Sequence, residues 1–89
     1  MTIVSDIRTA LSTYNVKYLA RAHYDKPRAR SIKRHVYEVH VKHAADSDIE
    51  SIVAALDAIT GYIAIIARCA SSWPTGNTFY SRFEVEILQ

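Results

Sequence analysis

The apolar residues of this 89-residue chain change their spacing twice, from a helical period to a strand-like one. Helical spacing covers residues 3–14 and 49–59. Strand-like spacing covers residues 16–24, 34–42 and 79–87, and residues 62–70 are a nearly continuous apolar run suited to a central strand. Spacing of three to four residues is typical of an amphipathic helix, and alternation is typical of a half-buried strand. The order predicts one α+β domain over residues 1–89, arranged α-β-β-α-β-β, with two helices on one face of a four-stranded, mainly antiparallel sheet.

The alternation also predicts which strand residues face the helices. On the first strand it places Val16 and Tyr18 inward. On the last strand it places five residues inward: Phe79, Ser81, Phe83, Val85 and Ile87. The opposite face of the sheet is then left partly open, and we expect the function to lie there.

Local signals predict where the later elements begin and end. Ser47 and Glu50 match a capping box at the start of the second helix. Gly61 is placed to end that helix in a left-handed conformation. Residues 71–77 are rich in turn formers and are predicted to form a loop that carries Trp73. That side chain either folds back over the edge of the sheet or stands exposed as an anchor for a partner.

Positive charge is unevenly distributed along the chain. Residues 1–43 contain nine Lys and Arg against three acids (+6), and residues 44–89 contain two against six (−4), which sum to the net charge of +2. One set of side chains forms a basic connection between the first two strands: Lys26, Arg28, Arg30, Lys33, Arg34 and His35. A complementary acidic patch is predicted from Asp46, Asp48, Glu50, Glu84 and Glu86. Such asymmetry favours contact with another molecule or with a second copy of the chain.

No residue pattern predicts an active site or a metal site. Cys69 has inward parity on an apolar strand, so a buried and unreactive thiol is expected. In strand geometry His40 faces opposite to His35 and His43, so these three side chains cannot converge on one metal ion. We therefore predict a protein without enzymatic activity and without a cofactor.

Residues 52–70 are nineteen mostly apolar residues, a length that suits a membrane span. Asp57 lies near the middle of this run, and a charge at the centre of a bilayer is costly. The spacing of the apolar residues also changes at Gly61. A buried helix followed by a buried strand is therefore predicted, with no contact to a membrane.

Four segments carry a resemblance to a known family: the opening helix 3–14, the strand 36–41, the lead 45–50 into the second helix and the closing strand 83–88. In pattern and order they resemble the tail-terminator (minor tail, tail-completion) proteins of tailed bacteriophages. The resemblance covers most of the chain and contains no diagnostic motif. It implies a non-catalytic ring, typically a hexamer, that caps a tail tube and joins it to the head or neck. The expected location is then the virion or the host cytoplasm.

The charge asymmetry fits such a ring, because head-to-tail contacts need two different and complementary patches on each subunit. Some side chains of the basic connection could alternatively line a channel that passes DNA. A second class of function is a nucleic-acid-binding module that uses the basic connection and the open sheet face. Its element order resembles a homing-endonuclease half-domain, but that family's signature helix and metal-binding carboxylate are absent. A third is a small phage inhibitor that blocks the surface of a host defence complex.

Overall fold

The computed structural model describes residues 2–21 and 34–88. The helices and strands of these residues are α1 Ile3–Ala10, β1 Asn15–Arg21, β2 Arg34–His43, α2 Asp48–Asp57, β3 Ala64–Thr75 and β4 Thr78–Leu88. The strands form one sheet in the order β1-β2-β4-β3, and every neighbouring pair is antiparallel. The predicted α+β fold with the α-β-β-α-β-β order is confirmed.

Both helices pack on the same face of the sheet. The buried core takes residues from both helices and from the two central strands: Ile3, Ile7, Leu11, Val39, Val41, Ile52, Leu56, Phe83, Val85 and Ile87. The inward pattern predicted for β4 is confirmed, since Ser81, Phe83, Val85 and Ile87 are buried and Phe79 is half-buried. The face of the sheet opposite the helices is called the open face below.

A bulge in β1 reverses the predicted facing of the residues that follow it. The register shifts at Lys17, so that Val16 still packs against the core but Tyr18 pairs with His40 on the open face. Leu19 takes the inward place that was predicted for Tyr18. A bulge inserts one unpaired residue into a strand, and simple alternation cannot locate it.

The loop predicted over residues 71–77 is wrong, because β3 continues through most of it. After a register shift at Ala70 the strand runs on to Thr75, and Gly76 and Asn77 form a two-residue turn into β4. Gly76 has a φ of +66° and Asn77 has no positive φ, which is the pattern of a type II′ hairpin turn. Trp73 therefore lies within a strand.

The helix ends differ from the predictions. α1 ends at Ala10 and does not continue to residue 14. The capping box of α2 is wrong, since Ser47 has helical backbone angles and makes no side-chain cap bond. The carboxylate of Asp48 instead accepts a 3.1 Å hydrogen bond from the backbone N–H of Ala45. Gly61 has the predicted positive φ, +101°, but α2 has already ended before it.

No helix in the described part of the chain is long and apolar enough to cross a membrane. The apolar run 52–70 divides between α2 and β3, as the change of spacing at Gly61 predicts. The buried central strand predicted there is wrong, because β3 lies at the edge of the sheet and its residues are half-buried or exposed.

Tyr62 ties the segment between α2 and β3 to the first helix. Its hydroxyl donates a 2.8 Å hydrogen bond to the carboxylate of Asp6, and this bond, followed by partial burial, raises the pKa of Tyr62 above its usual value of 10. The folded protein thus holds the proton more tightly than the unfolded chain. The resulting stabilisation is fully present below the unfolded-state pKa and is lost as the pH rises through the folded-state pKa.

We expect Tyr62→Phe to cost about 0.5–1.5 kcal/mol of unfolding free energy near neutral pH, because one hydrogen bond is lost. Above pH 10 the difference from the wild type should shrink. Urea unfolding at both pH values measures this, with Tyr14→Phe, a half-buried tyrosine packed against the same core, as the matched control. A constant difference across this pH range would contradict the assignment of the raised pKa to the bond with Asp6.

Candidate functional site

The open face carries an aromatic ladder that crosses all four strands: Tyr18 on β1, His40 on β2, Tyr80 on β4 and Trp73 on β3. Ring centroids are 4.9 Å apart for Tyr18 and His40, 5.7 Å for His40 and Tyr80, and 5.1 Å for Tyr80 and Trp73. The two ends are the most open, with Tyr18 50% and Trp73 44% exposed. The ladder therefore presents an exposed aromatic ring at each edge of the sheet.

Hydrogen bonds hold the middle of the aromatic ladder in place. His40 Nε2 lies 3.1 Å from a carboxylate oxygen of Glu38, and His40 Nδ1 lies 3.1 Å from the Tyr80 hydroxyl. An ionised carboxylate only accepts, so Nε2–H donates to Glu38, and in the neutral imidazole Nδ1 accepts from Tyr80. The ring orientations in the middle of the ladder are thus set before any partner binds.

A row of mutually compensated charges lies beside the aromatic ladder. Glu38 and Glu84 are directly opposite each other on β2 and β4, an arrangement in which like charges repel. Arg82 lies 3.7 Å from Glu38 and 3.4 Å from Glu84, and Arg68 Nε donates to Glu84 at 3.0 Å. The two arginines offset the repulsion between the two carboxylates, so this row adds little net charge to the open face.

A second polar cluster lies on the core side of the sheet, near the start of α2. His43 Nε2 lies 2.6 Å from Ser81 Oγ, and Nδ1 lies 2.9 Å from the carbonyl of Ala45, which only accepts, so Nδ1 carries a proton. The Asp48 carboxylate is 3.8 Å from Nδ1, and the hydroxyls of Ser81 and Ser72 are 2.8 Å apart. Serine, histidine and aspartate are the residue types of a catalytic triad. Ser81 is 0% exposed, however, so a substrate cannot reach its hydroxyl.

This cluster connects β2, β3 and β4, and the prediction from sequence missed it. The available signal was the inward parity of Ser81 and of His43, two polar side chains at core positions. Buried polar groups are nearly always hydrogen-bonded, so two of them on neighbouring inner strands indicate a mutual bond.

The basic connection is only partly within the described residues. Lys26, Arg28, Arg30 and Lys33 lie outside them, and Arg34 begins β2. His35 pairs with the core residue Ile87 and is half-buried on the core side, so it does not belong to the open face. Trp73 does lie there, where it is 44% exposed and its ring packs against that of Tyr80.

The acidic residues predicted as one patch lie in two separate places. Asp46, Asp48 and Glu50 form an acidic turn at the start of α2, in which Asp46 and Glu50 are exposed. Glu84 and Glu86 lie on the open face, and the side chain of Glu84 is only 14% exposed. The acidic turn is therefore the more accessible of the two sets.

Both edge strands carry features that oppose the addition of a further strand. β1 has its bulge at the exposed Lys17. β3 has a second bulge at Ala70 and also contains Pro74, and the backbone N–H of Ala67 donates to the Asp57 carboxylate at 3.1 Å. Bulges, lysine, proline and covered N–H groups are the means by which natural sheets protect their edges. Contacts with partners therefore fit the open face and the two ends of the sheet better than its edges.

The described residues show no arrangement suited to thiol or metal chemistry. Cys69 packs half-buried against the core, as its parity predicts, and burial raises the pKa of its thiol, with a smaller lowering by the hydrogen bond to the Ser71 carbonyl. A raised pKa keeps a thiol protonated and unreactive. No group of three or more His, Cys, Asp or Glu side chains within residues 2–21 and 34–88 could hold a metal ion.

No protein-family model matches this chain, and no curated protein matches its sequence. Membership of the tail-terminator family stays a prediction from the pattern of the sequence.

Proposed function

We propose that this chain is a non-enzymatic assembly protein that closes into a ring through head-to-tail contacts. In each contact the basic connection of one subunit meets the acidic turn of the next. The observation that supports this is that β2 separates Arg34 of the basic connection from the acidic turn. Arg34 begins that strand beside the basic connection, and His43 ends it shortly before Asp46. Two unlike patches on one subunit are what a heterologous, ring-closing contact requires. Complementarity between two such patches favours the specificity and the rate of assembly.

The resemblance to tail-terminator proteins suggests where such a ring would act. The ring, hexameric by that resemblance, would join a tail tube to a neck or head protein in the virion, and DNA would pass through its channel. Such a function needs shape, symmetry and charge complementarity. It needs no bond-making chemistry.

Charge reversal at Arg28→Glu/Arg30→Glu is expected to reduce the wild-type ring to a monomer, because like charges brought together cost several kcal/mol. Size-exclusion chromatography with light scattering measures this. The double variant Asp46→Lys/Glu50→Lys, measured by itself, should also be a monomer. An equimolar mixture of the two monomeric variants should assemble, since every contact in an alternating ring is again complementary.

The matched control is Arg8→Glu/Lys17→Glu, which changes the net charge equally at two exposed positions away from both patches. It should assemble like the wild type. A wild type that stays monomeric at high concentration, or an Arg28→Glu/Arg30→Glu variant that still forms rings, would contradict the proposal. A monomer that binds duplex DNA with a steep dependence on salt would instead support the nucleic-acid-binding class.

A further inference from the structure

We propose that the aromatic ladder is a stacking platform for single-stranded nucleic acid, a binding site that does not depend on ring formation. The two rings at the ends of the ladder, Tyr18 and Trp73, are each about half exposed, and the rings between them are fixed by the hydrogen bonds of His40. Aromatic side chains set on a rigid sheet bind single strands by stacking on successive bases, whatever the sequence.

The aromatic ladder lies in a strip of the sheet that contains no acidic residue. The register places the ladder in two adjacent rows across the sheet: Tyr18, His40, Arg82 and Ser71 in one, and Asn15, Lys42, Tyr80 and Trp73 in the other. None of these eight residues is acidic. Arg82 is already paired with Glu38 and Glu84, so Lys42 is the cation that these rows offer to a phosphate. Lys17, exposed at the β1 bulge, adds a second beside Tyr18.

The adjacent row of the sheet, which contains Glu38 and Glu84, limits the area that a nucleic acid could cover. Glu38 and Glu84 lie immediately beside the strip on one side, and carboxylates repel phosphate. A strand of nucleic acid would therefore run across the β-strands, along the ladder, and not down the length of the sheet. Sheets with a comparable aromatic surface stack about two to three bases, so we expect a short site with little sequence preference.

The small number of cations also favours a single strand over a duplex as the ligand. Two available cations, Lys17 and Lys42, predict that the logarithm of the affinity falls with the logarithm of salt with a slope of about −1.4, since each phosphate neutralised on a single strand contributes about −0.7. Affinity should then drop about 7-fold between 50 and 200 mM salt. Most of the affinity must therefore come from stacking, which a duplex with paired bases cannot provide.

The test uses the intrinsic fluorescence of Trp73, the one tryptophan of the chain, so quenching reports directly on the aromatic ladder. The wild-type protein is titrated with a 12-mer of thymidine, a 12-mer of uridine, an abasic 12-mer and a duplex of the same length. Quenching by at least one of the first two, with much weaker binding of the abasic strand and the duplex, is the expected result. The relative affinity of the first two shows whether DNA or RNA is preferred.

Tyr18→Ala should weaken binding of the single strand by about 5- to 150-fold, the range found when a stacking side chain is removed. Trp73→Ala should weaken binding by a similar factor. Because this variant lacks the fluorescent side chain, its binding is measured by the anisotropy of a labelled strand. The matched control is Ile66→Ala, which removes an apolar side chain that is 52% exposed on the same face but outside the ladder, and it should leave binding within two-fold. Circular dichroism verifies that each variant folds.

Three results would overturn the proposal. One is the absence of quenching by either single strand at low salt. Another is abasic or duplex DNA binding as tightly as the single strands, which would assign binding to phosphate contacts such as those of the basic connection. The last is unchanged affinity in both Tyr18→Ala and Trp73→Ala. Ring formation is measured separately by light scattering, so the two proposals can fail separately.

Discussion

Replacing Phe83 with alanine is expected to lower the free energy of unfolding by about 3–5 kcal/mol. Phe83 is fully buried, and it is the largest side chain in the core. It lies in β4 between Val39 of β2 and Cys69 of β3, directly beneath the helices. Truncation removes apolar contacts and leaves a cavity that the surrounding strands can only partly fill. A small domain is stable by about 5–15 kcal/mol in total, so urea unfolding should show a large shift of the midpoint.

Two further variants keep this prediction measurable. Phe83→Leu keeps most of the volume and should lose less than about 1.5 kcal/mol, which gives a folded reference if the alanine variant is too unstable to study. Phe79→Ala removes the same side chain four residues earlier on the same face, where it is half-buried and stacks on His43 at 5.7 Å. It should lose clearly less than Phe83→Ala. Equal losses at positions 79 and 83 would show that the core is not centred on Phe83.

Most of the fold follows from the spacing of apolar residues, and the errors within the strands share one cause. Regular alternation in β4 predicts its buried face correctly, because that strand has partners on both sides and contains no bulge. The edge strands β1 and β3 each contain a bulge, and from that point on the pattern changes phase. Bulges are common at sheet edges because they protect the edge from pairing, a requirement that the spacing of apolar residues does not express.

The candidate site depends on these same bulges, which is why it was only partly predictable. The shift at Lys17 turns Tyr18 onto the open face, and the continuation of β3 past Ala70 brings Trp73 beside Tyr80. Alternation alone places Tyr18 in the core and Trp73 in a loop. The sequence therefore predicts that the open face carries the function, and it leaves Trp73 either folded back over the sheet edge or exposed as an anchor. The aromatic ladder becomes visible only when the register of all four strands is known.

The distribution of charge was harder to predict. The sequence shows that the two halves of the chain differ in charge, but it does not show where these charges lie on the folded surface. Glu84 and Glu86 count as acidic in the sequence, yet Glu84 is paired with Arg68 and Arg82 on its own face. In the acidic turn at the start of α2, by contrast, Asp48 lies near His43, while Asp46 and Glu50 are exposed. Counting charges along the chain therefore overstates the acidic patch that a partner can reach.

Replacing Ser81 with alanine is expected to cost about 1–3 kcal/mol, although the change removes a single oxygen atom. His43 Nε2 lies 2.6 Å from that oxygen and His43 is only 5% exposed, so the variant leaves a buried ring nitrogen without its partner. The cost of an unsatisfied buried polar group exceeds the modest net gain from making the bond. Urea unfolding near neutral pH measures the loss.

Ser72 provides the control that separates a shared network from two independent bonds. Its hydroxyl lies 2.8 Å from that of Ser81, but Ser72 is exposed, so water can replace the lost partner and Ser72→Ala should cost little. Because the two hydroxyls belong to one network, the double variant should lose less than the sum of the single losses. Strict additivity, or a Ser81→Ala variant as stable as the wild type, would show that His43 is satisfied elsewhere. A loss of the expected size would mean that Ser81, His43 and Asp48 hold β4 to the turn before α2, a structural use of residue types that elsewhere perform catalysis.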